Sequence, residues 1–205
     1  MVLKMDQKIL DRIEMDALKR NIPVMQKEGL DFMISLLNEK KASSLLEIGS
    51  AIGYSAMRLV SNVENLKVET IELDDARYQE AKENIEKYGF KDDIYLHHDD
   101  ALSFDESKLV LKSFDALFID AAKAQYQRFF EKYIPYVKDD GVVIVDNLDF
   151  HGMIHHIDDI RNRNTRQLVR KIKRFKDWIF DHDAYNASYY EIGDGIVVIQ
   201  RKEKA

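Results

Sequence analysis

The sequence predicts an α/β fold: a mostly parallel seven-stranded sheet, helices on both faces, and an antiparallel C-terminal hairpin strand. Three observations predict it. Short apolar runs alternate with helix-patterned segments, as in βαβ units. Polar residues close the first, second, fourth and fifth runs, at the strand ends where open α/β sheets bind ligands. The last two runs are joined by Gly193-Asp194-Gly195, a hairpin signal.

Residues 1–40 read as an amphipathic helical cap, with Leu30, Met33, Ile34 and Leu37 at helical spacing. Ser44–Gly49 is a buried strand entering a turn, and Tyr54–Val60 is the helix after it. Val68–Glu72 is the second strand. A helix from Asp74, its expected N-cap, to about Tyr88 is stopped by Gly89. Ile94–His97 and Phe114–Ile119 are the next strands, the latter ending at Asp120. A helix over about Ala124–Val137 leads to the strand Gly141–Val145, which ends at Asp146-Asn147. A basic helix over about Asp159–Phe175 precedes the closing strands Ser188–Ile192 and Ile196–Gln200.

With 205 residues, no linker-like stretch and no repeat, the chain reads as one domain spanning 1–205. The absence of Cys excludes a disulfide framework, thiolate metal sites and a cysteine nucleophile. No apolar run reaches the ~18 residues of a membrane span, and the first residues have no signal-peptide core. A cytoplasmic protein with no membrane partner is the expectation. The net charge of -6 speaks against nucleic acid, but its distribution matters more. Residues 161–176 hold eight basic residues and no acid, so the remaining 189 residues carry -14. Arg163, Arg166, Arg170, Lys171, Lys173 and Arg174 on that segment are candidate contacts to a phosphate backbone; a solvated helix is the alternative.

The first turn, Glu47-Ile48-Gly49-Ser50-Ala51-Ile52-Gly53, lets the backbone approach a ligand at Gly49 and starts a helix at Gly53. Glu72 ends the second strand, 23 positions beyond Gly49, where an acid can accept from ribose hydroxyls. Together they point to an adenosine-containing cofactor. Ala51 breaks the dinucleotide pattern G-x-G-x-x-G, and Glu47 suits a ligand with a cationic end, as in S-adenosylmethionine. Asp100-Ala101 fits an adenine contact; a solvated acid is the alternative.

Asp120 and Asp146-Asn147 close two strands that can lie about 4.8 Å apart. Two carboxylates and a carboxamide are oxygen ligands suited to a hard divalent cation such as Mg²⁺. The alternative is that both acids cap the following helices. Lys123 stands three residues after Asp120, where a cation would lower its pKa and make it a usable general base. His151, His155 and His156 read as polar substrate-loop residues rather than a second metal site.

The segments LLEIGSAIGYSA, FIDAAKAQY and VVIVDNLDFHG, with Glu72 and the closing GDGIVVIQRK, resemble the cation-dependent O-methyltransferases of the catechol and caffeoyl-CoA type. The likeness covers nearly the whole chain, and the AAK form with the upstream NIPVMQKEG is most similar to bacterial tRNA 5-hydroxyuridine methyltransferases. The resemblance implies a Rossmann-like class I methyltransferase fold, an S-adenosyl-L-methionine cofactor and Mg²⁺, Mn²⁺ or Ca²⁺. It implies Asp120, Asp146 and Asn147 as metal ligands and Lys123 with Asp120 as the catalytic pair. It implies Met25, Ser55, Glu72, Asp100, Ala101 and Asp120 as cofactor contacts, with Glu47 and Gly49 in the same turn motif, and it favours a homodimer. Asp149 departs from the apolar residue usual in the family. The implied reaction methylates 5-hydroxyuridine at the tRNA wobble position to 5-methoxyuridine. The alternatives are a small vicinal diol such as a catechol and, in a different class, a nucleotide-binding oxidoreductase.

Overall fold

The computed structural model describes residues 5–203; residues 1–4 of the expected cap, and 204–205, lie outside it. Two helices begin the fold, α1 (Gln7–Lys19) and α2 (Lys27–Glu39). The single long cap expected from the sequence is therefore split, and Pro23 lies in the break. Asp6 caps α1 by accepting from the Lys8 amide at 3.0 Å, and Leu10, Ile13 and Ala17 form its buried stripe.

The alternating elements follow as β1 (Ser44–Ile48), α3 (Tyr54–Asn62), β2 (Lys67–Glu72), α4 (Asp75–Lys87), β3 (Ile94–His98) and β4 (Phe114–Ile119). Asp74 caps α4 as expected, accepting from the Arg77 amide at 2.9 Å. The helix after β4 is shorter than predicted: α5 (Tyr126–Tyr133) is flanked by 3₁₀ turns, and Pro135 sits in the second. Then come β5 (Val137–Val145), α6 (Arg163–Phe180), β6 (Tyr185–Tyr190) and β7 (Ile196–Arg201). The basic helix starts four residues later than expected, because Asn162 is its N-cap, and runs on to Phe180 because Ile179 extends its buried face.

The seven strands form one sheet in the order β3-β2-β1-β4-β5-β7-β6. β1 to β5 run parallel; β7 is antiparallel to β5 and to β6. This is the class I methyltransferase arrangement predicted. Both faces of the central strands are covered, so β1 and β4 need no polar face, whereas the edge strand β6 alternates half-buried and exposed residues. Leu45, Ala116, Phe118, Val142 and Ile144 pack under α1–α3, whereas Leu46, Leu117, Ile119, Val143 and Val145 pack under α5 and α6.

The strand order reverses between β1 and β4, and chain segments leave their ends toward opposite sides. A crevice opens at such a point. Among the described residues, no helix is long and apolar enough to cross a membrane.

Candidate active site

The crevice is built from the ends of β1, β2, β4 and β5. The ladder runs one step beyond the strands: Gly49 N–H donates to Ile71 C=O (2.9 Å), Asp120 N–H to Ile48 C=O (3.1 Å) and Asp146 N–H to Ile119 C=O (3.4 Å). These bonds set the Cα positions of three site residues before any side chain is considered. Gly49 has φ of 94°, and a Cβ there would lie 2.8 Å from the Asp120 carbonyl oxygen. Only glycine lets β1 turn away this close to β4.

A cavity of about 1200 Å³ occupies the crevice and is ample for an adenosine-sized ligand. Met25, Gly49, Ser55, Glu72, Asp100, Ala101, Asp120 and Lys123 line it. Glu72 accepts from the Ala51 amide (2.8 Å) and from the Leu73 and Asp74 amides (3.1 and 2.9 Å). It thereby ties the glycine turn to β2, and Oε2, which takes only the Ala51 amide, keeps a lone pair for a further donor. Asp100 accepts from the Leu102 amide at 2.9 Å. It shapes a turn at the cavity edge and is not the freely solvated acid of the alternative reading.

Two residues expected at the cofactor stand elsewhere. Glu47 is fully buried behind the cavity wall, where it accepts from Ser55 Oγ (2.5 Å) and Thr70 Oγ1 (2.7 Å). Ile48 lines the larger cavity, so the alternation of the strand turns Glu47, one residue earlier, to the opposite face against Ser55 and Thr70. Burial pushes its carboxyl up to about 7, against the pull of those two hydroxyls. Gly53 is the N-cap of α3, packs over Ala81 and lines neither cavity.

A smaller cavity of about 260 Å³ adjoins the first. Met25, Asp120 and Lys123 line both; Asp146, Asn147, His151 and Asp194 line only the smaller. Asp120, Asp146 and Asn147 converge: Asn147 Nδ2 reaches Asp146 Oδ2 at 2.7 Å and Asp120 Oδ1 at 3.4 Å. Neither acid caps a helix: the 3₁₀ turn after β4 has Ala122 at its N-cap and the one after β5 has Gly152, both without a side-chain bond. Asn147 holds a left-handed backbone, φ 63°, uncommon outside glycine and asparagine.

The electrostatics of this trio are unbalanced. Desolvation and the neighbouring Asp146 hold the Asp120 carboxyl well above the ordinary carboxylate range. Burial lifts Asp146 to about 6, with the Asn147 bond and Lys123 opposing. Burial lowers the Lys123 ammonium, while Asp120, Asp146 and Asp194 pull it back up. Two desolvated acids facing one partly desolvated lysine are short of positive charge. The donor set fits a hard divalent cation: two carboxylates and a carboxamide that can present its oxygen. No group of three or more His, Cys, Asp or Glu is arranged for a metal among the described residues, so such a site depends on Asn147 as third ligand.

The three loop histidines do not meet: His151 pairs with Asp194 (2.8 Å), His155 with Asp149 (3.0 Å) and His156 with Asp159 (3.8 Å). Tyr126 is a site residue that sequence reasoning missed. It is buried, and its Oη donates to the Asp146 carbonyl at 2.8 Å, bracing the end of β5 from α5. Its signal was its place three residues after Lys123 in FIDAAKAQY.

α6 packs against the turn that carries Lys123, and Leu168 reaches the larger cavity. Not all of its cations are free. Arg166 donates from Nε to the Ile160 carbonyl at 2.8 Å, Lys173 pairs with Asp177 at 2.7 Å, and Lys176 sits 3.8 Å over the Tyr189 ring. Arg163, Arg170, Lys171 and Arg174 are exposed.

Residues 4–202 match the O-methyltransferase family model. A candidate caffeoyl-CoA O-methyltransferase from Staphylococcus aureus superposes with a TM-score of 0.89 at 33% identity, over 94% of this chain and 92% of that one. An O-methyltransferase from Bacillus cereus, solved with SAH, has a TM-score of 0.80 at 23% identity, over 98% and 94% of the two chains. A caffeoyl-CoA O-methyltransferase of Populus kitakamiensis is 26% identical over 186 residues, 88% of this chain and 78% of that protein.

Proposed function

We propose that this chain, which belongs to the O-methyltransferase family, methylates one of two adjacent oxygens on its acceptor with the help of a divalent cation. It is an S-adenosylmethionine-dependent O-methyltransferase. The observation that carries the finer reading is the trio Asp120, Asp146 and Asn147 where the two cavities meet. The larger cavity suits the methyl donor and the smaller one the acceptor.

Asp120, Asp146 and Asn147 would hold the cation, which when bound supplies Lewis acidity toward the acceptor oxygens and fixes their orientation. Lys123 faces both cavities, and its desolvated amine is the group to take the proton from the acceptor hydroxyl. Gly49 and Ser55 let the donor lie close along the β1 turn, and Glu72 offers oxygens to ribose hydroxyls. The two adjoining cavities would bring the acceptor and the methyl donor together, which converts a two-body encounter into a near-attack pair.

The acceptor we propose is a small molecule with vicinal oxygens, of the catechol or caffeoyl type, supported by the names of the relatives above. A second reading, 5-hydroxyuridine at the tRNA wobble position, is favoured by the exposed cations of α6 beside the turn that carries Lys123. Transfer of labelled methyl from S-adenosylmethionine to catechol, and to RNA containing 5-hydroxyuridine, tests both. Transfer to catechol alone excludes the tRNA reading, transfer to RNA alone excludes the small-molecule reading, and transfer to neither removes the vicinal-oxygen proposal.

A further inference from the structure

The smaller cavity holds a pair of side chains that this chemistry does not use. His151 and Asp194 both line it, and His151 Nδ1 lies 2.8 Å from Asp194 Oδ1. The two residues come from different elements: His151 from the loop after β5, Asp194 from the turn between β6 and β7. Those segments are stitched together, because Leu148 N–H donates to Gly195 C=O (2.9 Å) and Asp149 N–H to Asp194 C=O (2.8 Å). The turn cannot drift from the loop without breaking both bonds.

The loop holds an unusual backbone. Phe150, His151 and Gly152 have φ of 46°, 57° and 74°, three left-handed residues in succession. Only the last is glycine, so the other two are held against their preference. The Asp194 side chain is 16% exposed, the His151 side chain 62%. A mostly buried carboxylate thus anchors one edge of an imidazole that stays open to the cavity. With Nδ1 against Asp194, the ring has Nε2 left to contact a ligand in the cavity.

We infer that His151 is an acceptor-binding residue whose Nε2 hydrogen-bonds a polar group of the acceptor, and that Asp194 is the positioning residue that holds the ring at the cavity. The inference rests on reading the smaller cavity as the acceptor site. It adds a specificity contact that neither the cation ligands nor Lys123 provides. An acceptor without a polar group at that place forgoes one hydrogen bond.

His151→Asn tests this, because asparagine tolerates the left-handed backbone while removing the ring. His155→Ala is its control: the same loop, 3.0 Å from Asp149, but lining neither cavity. Acceptor KM and kcat are measured with catechol and with an RNA stem-loop bearing 5-hydroxyuridine, and S-adenosylhomocysteine affinity by calorimetry. The expected result is an acceptor KM raised about tenfold in His151→Asn, the loss of one hydrogen bond, with kcat less changed and S-adenosylhomocysteine affinity intact. His155→Ala should match the parent protein. An acceptor KM within about twofold of the parent overturns the inference. So does an equal loss in His155→Ala, or a parallel fall in S-adenosylhomocysteine affinity, because either makes the effect one of loop folding. If the parent protein turns over neither acceptor, the failure lies with the proposed reaction.

Discussion

Replacing Glu47 by Gln should change how stability depends on pH more than it changes the site. Glu47 is a carboxyl with no exposure, and burial lifts it from 4.5 to about 7 despite its Ser55 and Thr70 bonds. An acid whose pKa is higher in the folded state binds its proton more tightly there. The folded protein therefore loses stability as pH rises from the unfolded value of 4.5 through about 7. A shift of that size corresponds to about 3 kcal/mol across the window. Glutamine has similar shape and no charge, and the Ser55 and Thr70 hydroxyls can rotate to serve its amide. Urea denaturation of both proteins between about pH 5 and about pH 8 should show the variant gaining on the parent as pH rises, by up to about 3 kcal/mol. In thermal melts that corresponds to several degrees for a chain of this length. Parallel stability curves across the whole window would refute the argument, because they would mean that Glu47 does not titrate between those limits.

Gly49→Ala should destabilise by roughly 2 kcal/mol and weaken S-adenosylhomocysteine binding in calorimetry, because its Cβ meets the Asp120 carbonyl in a left-handed turn. Asp115→Asn should remove about 1 kcal/mol at neutral pH, a figure discounted for solvent screening. Burial works against that charge, but Lys138 and the Ser43 and Ser44 donors hold it down to about 2. The stability it contributes is present above 3.8 and lost as pH falls toward about 2, so acid titrations of variant and parent should converge there. Tyr126→Phe should cost about 1 kcal/mol in urea melts through the lost bond to the Asp146 carbonyl, and should weaken cation binding measured by calorimetry. Arg170→Glu with Arg174→Glu should abolish methylation of RNA while sparing that of catechol if α6 is an RNA surface; unchanged RNA methylation would exclude that role.

The site is legible in the sequence where chemistry coincides with strand ends. Asp120, Asp146 and Asn147 converge because Asp120 and Asp146 each follow the last residue of adjacent parallel strands, with Asn147 next to Asp146, and β4 and β5 pair Ile119 with Val145. Glu72 and Gly49 fall into place for the same reason. The misplacements lie where direction matters. Glu47 and Gly53 flank the turn as closely as Gly49 does, but the pleat and the helix cap point them away from the cavity. The break between α1 and α2 falls at Pro23, within the stretch 1–40 read as one amphipathic cap from the spacing of Leu30, Met33, Ile34 and Leu37. The basic helix could be found by composition, but the occupation of Arg166, Lys173 and Lys176 depends on partners that no spacing rule reveals. The role of Tyr126 is likewise tertiary, since its partner is a backbone carbonyl on β5.

The central claim is methyl transfer that depends on a cation held between Asp120, Asp146 and Asn147. The most direct measurement is labelled-methyl transfer to the acceptor by the parent protein and by Asp146→Ala, each with Mg²⁺ and with a chelator. Transfer only by the parent protein with Mg²⁺ is expected, with S-adenosylhomocysteine binding retained in the variant. Undiminished transfer in the presence of chelator, or by Asp146→Ala, would contradict it.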